Sequence, residues 1–247
     1  MDGAKDPGAR FTAITQIGTE LAVLIYFRKD IAAILRSWFG QAVQRKELVG
    51  EAKSQARMGW LIVIGTIPIV VLGYLGSDII ENNLRSLWLI ATTLIVFGVI
   101  LGLADTYGKK ERTLDQLSNR HGILYGFAQA LALMPGVSRS GATIAMGRIL
   151  GYKREAALRY SFLLAVPAVF GSGFYQLQGA LSSSDTSNVF SLAETAVATV
   201  IAFIVGYIVI AWLLKFVSTR SFMPFIIYRI TLGTLLLILL GAGVISA

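Results

Sequence analysis

The sequence MPGVSRSGAT, at residues 134–143, decides how the chain around it folds. Apolar residues lead into it from residue 122 and continue after it to residue 150, so a guanidinium, three hydroxyls and a Pro-Gly pair interrupt an apolar hairpin. Pro135 lacks an N–H group and clashes with the preceding helical turn, and Gly136 tolerates backbone angles that other residues avoid. We therefore predict that a helix entering from residue 122 ends here and that a second helix follows.

The side chains after the break predict an anion site. Ser138 or Ser140 can cap the second helix, which we expect to begin near Gly141 with its free N–H groups and positive dipole end directed at the break. Arg139 adds a fork of donors that suits phosphate oxygens. The alternative is a kinked helix in which Arg139 extends to the lipid headgroups. A charge deep in an apolar segment is functional by default, which favours the anion site.

Composition places the chain among integral membrane proteins. Of its 247 residues 55% are hydrophobic and 15% charged, and the mean hydropathy is +0.68. A soluble domain of this length rarely has so few charges, and we expect residues 1–247 to form a single membrane domain. The absence of cysteine excludes disulfides and thiolate metal sites. The net charge of +8 follows membrane topology, so nucleic acid is not an expected partner.

Six apolar runs are long enough, or nearly long enough, to cross a bilayer. They occupy residues 11–27, 60–75, 87–104, 160–175, 193–214 and 222–245. Most of the 22 Lys and Arg residues fall on one side if the N-terminus is outside, as the positive-inside rule requires. Basic residues flank both ends of 122–150, which makes that hairpin re-entrant. The predicted fold is therefore all-α and polytopic, with six transmembrane helices and one re-entrant helix hairpin.

Several residues outside the hairpin have two interpretations each. Glu20, within the first run, is either a site residue facing Arg139 or a protonated acid bonded inside the bundle. Arg229, near the start of the last run, either packs under the hairpin or extends to the headgroups. His121 suits a solvated interfacial position better than a catalytic one. Gly98 and Gly102 have the spacing of a helix-packing face.

The connecting segments have simpler patterns. The charged connection at 28–57 is predicted to be a solvated amphipathic helix, and 78–85 and 182–188 are predicted to be outer loops.

The two halves of the chain have the pattern of an inverted repeat. Residues 11–104 and 160–245 each contain three apolar runs, and the two sets enter the membrane from opposite sides. The second repeat, 121–247, also contains the hairpin at 122–150. By this logic the first repeat is incomplete: its re-entrant hairpin is expected before Phe11 and is absent from this sequence.

Three motifs extend the interpretation. The sequences FAQALALMPGVSRSGAT at 127–143, FLLAVP at 162–167 and PFIIYR at 224–229 resemble the undecaprenyl-diphosphate phosphatase family, the bacitracin-resistance type of bacterial membrane phosphatase. The resemblance implies hydrolysis of undecaprenyl diphosphate to the monophosphate, which recycles the lipid carrier of cell-wall synthesis. It also implies a multi-pass protein of the bacterial plasma membrane, with two interlocked inverted repeats and an active site open to the outer face.

The resemblance also assigns site residues. It implies catalytic roles for four of them: Ser138, Arg139, Ser140 and Thr143. We assign five more to substrate binding: Gly136, Gly141, Gln129, Arg229 and Glu20. The family's first motif supplies acids, a serine and a histidine for acid-base chemistry and for a divalent cation, Mg²⁺ or Ca²⁺. That motif is expected in the hairpin before Phe11, which is absent from this sequence.

Two other functions fit the same residues. A lipid-phosphate transporter or flippase could use the hairpin as an anion site without cleaving the lipid. A non-catalytic protein could bind diphosphate lipid and do nothing further. In each case the expected partners are a polyprenyl diphosphate lipid and the bilayer, with a homodimer as an open alternative.

Overall fold

The structure is a computed structural model that describes residues 8–76, 86–182 and 191–246. These residues form helices joined by short connections, with one isolated β-bridge between Arg112 and Tyr152 and no strand among them. The helices are α1 (Gly8–Tyr26), α2 (Arg28–Ala42), α3 (Gly50–Leu75), α4 (Leu87–Tyr107), α5 (Asn119–Ala130), α6 (Arg139–Ile149), α7 (Arg154–Ser182), α8 (Leu192–Thr219) and α9 (Met223–Gly241). The predicted all-α class is confirmed for this part of the chain.

Four stretches of helix are long and apolar enough to cross a membrane. They are Gly50–Leu75, Leu87–Tyr107, Ala193–Thr219 and Met223–Gly241. The other two predicted runs also fall within helices, 11–27 largely in α1 and 160–175 in α7. A polytopic helical membrane protein is thus the class that the structure supports, while the number of six spans stays a prediction.

Two boundaries differ from those expected from the sequence. Helix α3 begins at Gly50, ten residues before the apolar run, because residues 51–58 contain neither proline nor glycine and Glu51 suits a first helical turn. The charged connection is therefore shorter than 28–57, and its helix α2 ends at Ala42. The predicted outer loops at 78–85 and 183–188 lie outside the described residues.

The described chain divides into two compact units. Within the described residues, one unit comprises 8–32, 166–182 and 191–213, and the other comprises 33–76, 86–165 and 214–246. The second unit contains the whole hairpin of α5 and α6, together with α3, α4 and α9.

Glycines allow the helices of the second unit to approach closely. A Cβ atom added to Gly126 of α5 would lie 2.7 Å from the carbonyl oxygen of Gly65 in α3. One added to Gly122, a turn earlier, would lie 2.9 Å from Leu61 Cδ2. Helices α3 and α5 therefore cross with their backbones nearly in contact, as small residues spaced by four permit in membrane proteins.

The predicted packing face of α4 is also observed. A Cβ atom on Gly98 would lie 3.0 Å from Ile230 Cγ1, and one on Gly102 would lie 3.4 Å from Ile226 Cγ2. Both neighbours belong to α9. The glycine pair thus serves helix packing, as predicted.

The crossing of α3 and α5 generates a stability prediction. Gly126→Ala should lower the free energy of unfolding by about 1–3 kcal/mol, because the new methyl group meets backbone that cannot yield without separating the helices. The thermal midpoint in detergent measures the effect. Gly171→Ala is the matched control, since nothing lies within 4 Å of a Cβ atom there. An unchanged midpoint for Gly126→Ala would contradict the close crossing.

Candidate anion site at the hairpin break

The predicted break lies where the Pro-Gly pair stands. Helix α5 ends at Ala130, a 3₁₀ turn covers Leu131–Leu133, and α6 begins at Arg139. Gly136 has a φ of +88°, and a Cβ atom added to it would lie 2.6 Å from the carbonyl oxygen of Ile90. Glycine is required here both by its backbone angle and by the approach of α4.

The second helix is capped by the predicted serine. The Ser138 hydroxyl accepts a hydrogen bond from the backbone N–H of Gly141 at 3.2 Å. Helix α6 begins at Arg139, two residues before the predicted start near Gly141. Ser138 has a φ of +66°, a conformation that a non-glycine residue adopts at an energetic cost and that is frequent at functional sites.

Three predicted site residues share the first turn of α6. The side chains of Ser138 and Ser140 are exposed, with their hydroxyl oxygens 3.5 Å apart, and Arg139 between them is half-buried. The first N–H groups of a helix have no partner inside the helix and carry its positive dipole end. This turn therefore combines a guanidinium, two hydroxyls and a helix start, which are the groups that bind phosphate oxygens.

Arg229 packs under the break. Its Nη2 atom donates hydrogen bonds to the carbonyl oxygens of Gly136 at 2.7 Å and Val137 at 2.9 Å. Its Nη1 atom faces the helix start, because a Cβ atom on Gly141 would lie 3.4 Å from it. Only 8% of Arg229 is exposed, and its Nε atom has no hydrogen-bond partner among the described residues. Of the two interpretations from the sequence, packing under the hairpin is the one observed.

Thr93 of α4 completes the support of the break. Its hydroxyl lies 2.7 Å from the carbonyl oxygen of Pro135, to which it can donate. Three successive carbonyl groups, those of Pro135, Gly136 and Val137, are therefore each bonded by a side chain from α4 or α9. The sequence did not indicate Thr93, because threonine in an apolar helix commonly bonds a carbonyl group of the preceding turn, as Thr92 does.

Two other predicted site residues lie in the interior of the second unit. Thr143 is fully buried, with its hydroxyl 2.5 Å from that of Ser161 in α7. Gln129 is also fully buried; its Nε2 atom donates to the Gly65 carbonyl at 3.5 Å, and its Oε1 atom has no partner among the described residues. Their observed contacts are internal, and the predicted contacts with substrate stay predictions.

Glu20 belongs to the first unit. It is 5% exposed, and its Oε1 atom accepts a hydrogen bond from Gln16 Nε2, one turn earlier in α1, at 3.0 Å. A Cβ atom added to Gly173 of α7 would lie 2.9 Å from the same carboxyl group. A buried, hydrogen-bonded acid is thus observed, and its role in substrate binding stays a prediction.

A buried ion cluster holds the far end of the hairpin. Arg148, in the last turn of α6, is fully buried and donates from Nε to Asp105 Oδ1 at 3.0 Å. Arg154 donates to both oxygens of the same carboxylate, at 2.7 Å and 2.9 Å. The backbone N–H of Phe222, just before α9, lies 3.3 Å from Asp105 Oδ2. A single carboxylate therefore joins α4, α6, α7 and the start of α9.

The sequence did not reveal this cluster. In the sequence Arg148 is one of several basic residues around the end of the predicted hairpin, where lysine and arginine are common on the inner side of a membrane. Only its burial distinguishes it from its neighbours, and a buried arginine must have partners.

His121 lies at the entrance to α5 and is half-buried. Its Nδ1 atom is 2.7 Å from the Tyr152 hydroxyl, and its Nε2 atom is 3.3 Å from Arg112 Nη1. Burial, and then the positive charges of Arg112 and Arg120, lower the pKa of His121 below 6.5. Burial raises the pKa of Tyr152 to about 12. His121 thus lies partly exposed at the start of the hairpin, as predicted, and the sequence did not show its hydrogen bond with Tyr152.

Metal ions in proteins are commonly held by clusters of His, Cys, Asp or Glu side chains. Among the described residues, no three His, Asp or Glu side chains lie close enough together to hold a metal ion. The divalent cation stays a prediction.

The apolar helices, interrupted by a hairpin that carries a guanidinium at its break, define a multi-pass helical membrane protein. The chain matches the family described as "Bacitracin resistance protein BacA" over residues 1–235. It belongs to that family, and the resemblance seen in the sequence is confirmed.

Curated relatives match the chain over its full length. It is 59% identical to the "Undecaprenyl-diphosphatase" of Paenarthrobacter aurescens (strain TC1), covering 100% of this chain and 88% of the relative. The "Undecaprenyl-diphosphatase" of Micrococcus luteus is 57% identical, again over 100% of this chain and 88% of the relative. The "Undecaprenyl-diphosphatase 2" of Agrobacterium fabrum is 59% identical, over 100% of this chain and 87% of the relative.

The ion cluster generates a second stability prediction. Asp105→Asn should lower the free energy of unfolding by about 3–5 kcal/mol, because it leaves the guanidinium groups of Arg148 and Arg154 without a counter-charge. Thermal unfolding in detergent measures the loss. Glu111→Gln, at an exposed position in the following loop, is the matched control and should leave the midpoint unchanged. Equal midpoints for both variants would show that the cluster does not stabilise the fold.

Proposed function

We propose that the chain hydrolyses undecaprenyl diphosphate to undecaprenyl phosphate and inorganic phosphate. The observation that carries the proposal is the first turn of α6, where Arg139 stands between two exposed serines at a capped helix start. The family membership and the names of the relatives agree with this reaction. A diphosphate headgroup is the lipid component whose charge such a turn complements.

The reaction breaks one phosphoanhydride bond. A water oxygen attacks the terminal phosphorus, the bond from that phosphorus to the bridging oxygen breaks, and the electron pair stays on the bridging oxygen of the product monophosphate. The water's proton leaves to a base, which the family resemblance assigns to the motif expected before Phe11. Charge accumulates on the transferred and leaving oxygens, and positioned donors accelerate such a reaction mainly by stabilising that charge.

Each residue of the turn has a part in this step. Arg139 neutralises the diphosphate, Ser138 and Ser140 orient its oxygens, and the N–H groups at the start of α6 donate to it. Thr143 holds the turn from below through Ser161. The carbonyl groups of the break would repel an anion, but Thr93 and Arg229 occupy them. The turn therefore presents donors to the substrate.

The lipid tail needs an apolar surface beside this turn. Helix α5 exposes Ile123 and Phe127, and Leu131 follows at the same spacing; their exposed fractions are 43%, 55% and 45%. Residues four apart lie on one side of a helix, so the three form a single apolar ridge that ends near the break. The polyprenyl chain lies along this ridge, within the bilayer.

The proposal includes a topology. The chain crosses the bacterial plasma membrane six times with its N-terminus outside, and residues 122–150 form a re-entrant hairpin of an inverted repeat whose other hairpin precedes Phe11. The excess of basic residues in alternate connections supports this orientation. The protein acts on a polyprenyl diphosphate lipid with Mg²⁺ or Ca²⁺, and a homodimer is compatible with the arrangement.

Removal of the guanidinium tests the function. Arg139→Ala in the full-length protein should reduce phosphate release from undecaprenyl diphosphate in detergent by at least about 10³-fold, because no other group of the turn supplies a full positive charge. Arg120→Ala removes an exposed guanidinium from the other end of the hairpin and should leave turnover unchanged.

Two outcomes would contradict the proposal. Full turnover by a correctly folded Arg139→Ala protein would exclude Arg139 from the mechanism. Headgroup movement across sealed vesicles, without phosphate release by the unmodified protein, would indicate a flippase instead.

Arg229→Lys tests the support under the break. Lysine keeps the charge, but one ammonium group cannot reproduce the planar fork that bonds the Gly136 and Val137 carbonyls. A shift of the turn by a fraction of an ångström should lower kcat about 10- to 100-fold. Steady-state kinetics measure the change, with Arg220→Lys, an exposed position, as the control. Unchanged kcat would show that any positive charge suffices at this position.

A further inference from the structure

Helix α2 has an apolar ridge that the second unit does not cover. Leu35, Phe39 and Val43 have exposed fractions of 56%, 49% and 59%. Their spacing of four residues places them on one side of the helix and its final turn. Three large apolar side chains in a row are more than scattered surface residues would produce, so this ridge needs a partner.

The adjacent side of the same helix is already packed. Ile34 is buried, and the Ser37 hydroxyl donates to Gln55 Oε1 of α3 at 3.0 Å. The rings of Trp38 and Trp60 meet edge to face with their centroids 5.4 Å apart. From Ala33 onward α2 is thus held against the first turns of α3, and its ridge cannot turn inward without breaking these contacts.

The charges around the ridge are mostly positive. Arg36 is next to Leu35, and Arg45 and Lys46 follow Val43; all three are exposed. Across residues 36–57 there are five basic and two acidic side chains. An apolar ridge bordered by exposed cations is the pattern of a helix that lies in a membrane interface with anionic lipids.

The position of α2 along α3 indicates where that interface is. Trp60 begins the apolar part of α3, which is long enough to cross the membrane, and tryptophan is enriched at the level of the headgroups. Because α2 contacts α3 at residues 55–60, it lies at that same level. The bilayer around α3 therefore reaches the ridge of α2, and lipid can cover the ridge without another protein.

We propose that residues 35–43 of α2 lie in the headgroup region of the bilayer, with Leu35, Phe39 and Val43 in the acyl boundary and Arg36, Arg45 and Lys46 bound to anionic lipid phosphates. A second copy of the chain is the competing occupant. Three side chains are a small fraction of the roughly 800 Å² that each partner contributes to a stable interface, which favours lipid.

The absence of cysteine makes a direct test simple. Single-cysteine variants Leu35→Cys, Phe39→Cys and Val43→Cys carry an environment-sensitive NBD label in nanodiscs of phosphatidylcholine and phosphatidylglycerol. Gln41→Cys is the matched control, because Gln41 is exposed within α2 and helical spacing places it away from the ridge. We expect blue-shifted emission, quenched by doxyl-labelled lipid, at the three ridge positions and water-like emission at Gln41.

A charge variant tests the lipid preference. The combined change Arg36→Gln, Arg45→Gln and Lys46→Gln should reduce the quenching at Phe39→Cys in phosphatidylglycerol nanodiscs, while Glu47→Gln should not. In discs of phosphatidylcholine alone the combined change should have no effect.

Three results would overturn the proposal. Water-like emission at all three ridge positions would show that no bilayer covers them. Disulfide-linked dimers through Phe39→Cys, without quenching by doxyl lipid, would assign the ridge to a second copy. Equal quenching with and without the three basic residues in phosphatidylglycerol would remove the anionic lipid from the proposal.

Discussion

The hydrogen bonds to three successive carbonyl groups are the interaction on which the site depends. Backbone that leaves helical geometry inside an apolar region has carbonyl groups without helical partners, and unpaired polar groups there are costly. Thr93 bonds the Pro135 carbonyl, and Arg229 bonds those of Gly136 and Val137. These bonds stabilise the break. They also engage the negative carbonyl oxygens of the break, which therefore do not face the surface where Arg139 lies.

The hairpin is held at both ends by the same pair of structural elements. Helix α4 supplies Thr93 at the break and Asp105 at the opposite end of the hairpin. The two residues are twelve positions apart, which is about 18 Å along a helix. Helix α6 runs from the break to the opposite end of the hairpin, and its 11 residues span about 16 Å. Helix α9 supplies Arg229, which bonds the break. Phe222, the residue just before the start of α9, bonds Asp105 through its backbone N–H. The stretch of α4 from Thr93 to Asp105 and helix α6 therefore have similar lengths. This match explains how α4 can hold α6 at both of its ends and keep its capped start in place.

The local chemistry of the hairpin could be predicted because it depends on neighbouring residues. Pro135 and Gly136 end a helix wherever they occur, and Ser138 caps the next one three residues before Gly141. Helix α3 begins ten residues before its apolar run, because apolarity marks where a helix enters a membrane and not where its hydrogen bonding begins. The carboxylate partner of Arg148 and the hydroxyl partner of His121 could not be predicted, because Asp105 and Tyr152 lie 43 and 31 positions away from them in the chain.

The sequence by itself determined the class of protein, the helical breaks and the donors at the candidate site, because composition, proline, glycine and capping residues act locally. Tertiary structure alone decided that Arg229 lies beneath the break, that Thr143 faces Ser161, and that one face of α2 is left uncovered. Each of these three features depends on which helices contact one another and on where along their axes they do so. That is set by packing between residues far apart in the chain, such as the close approach of Gly126 to Gly65.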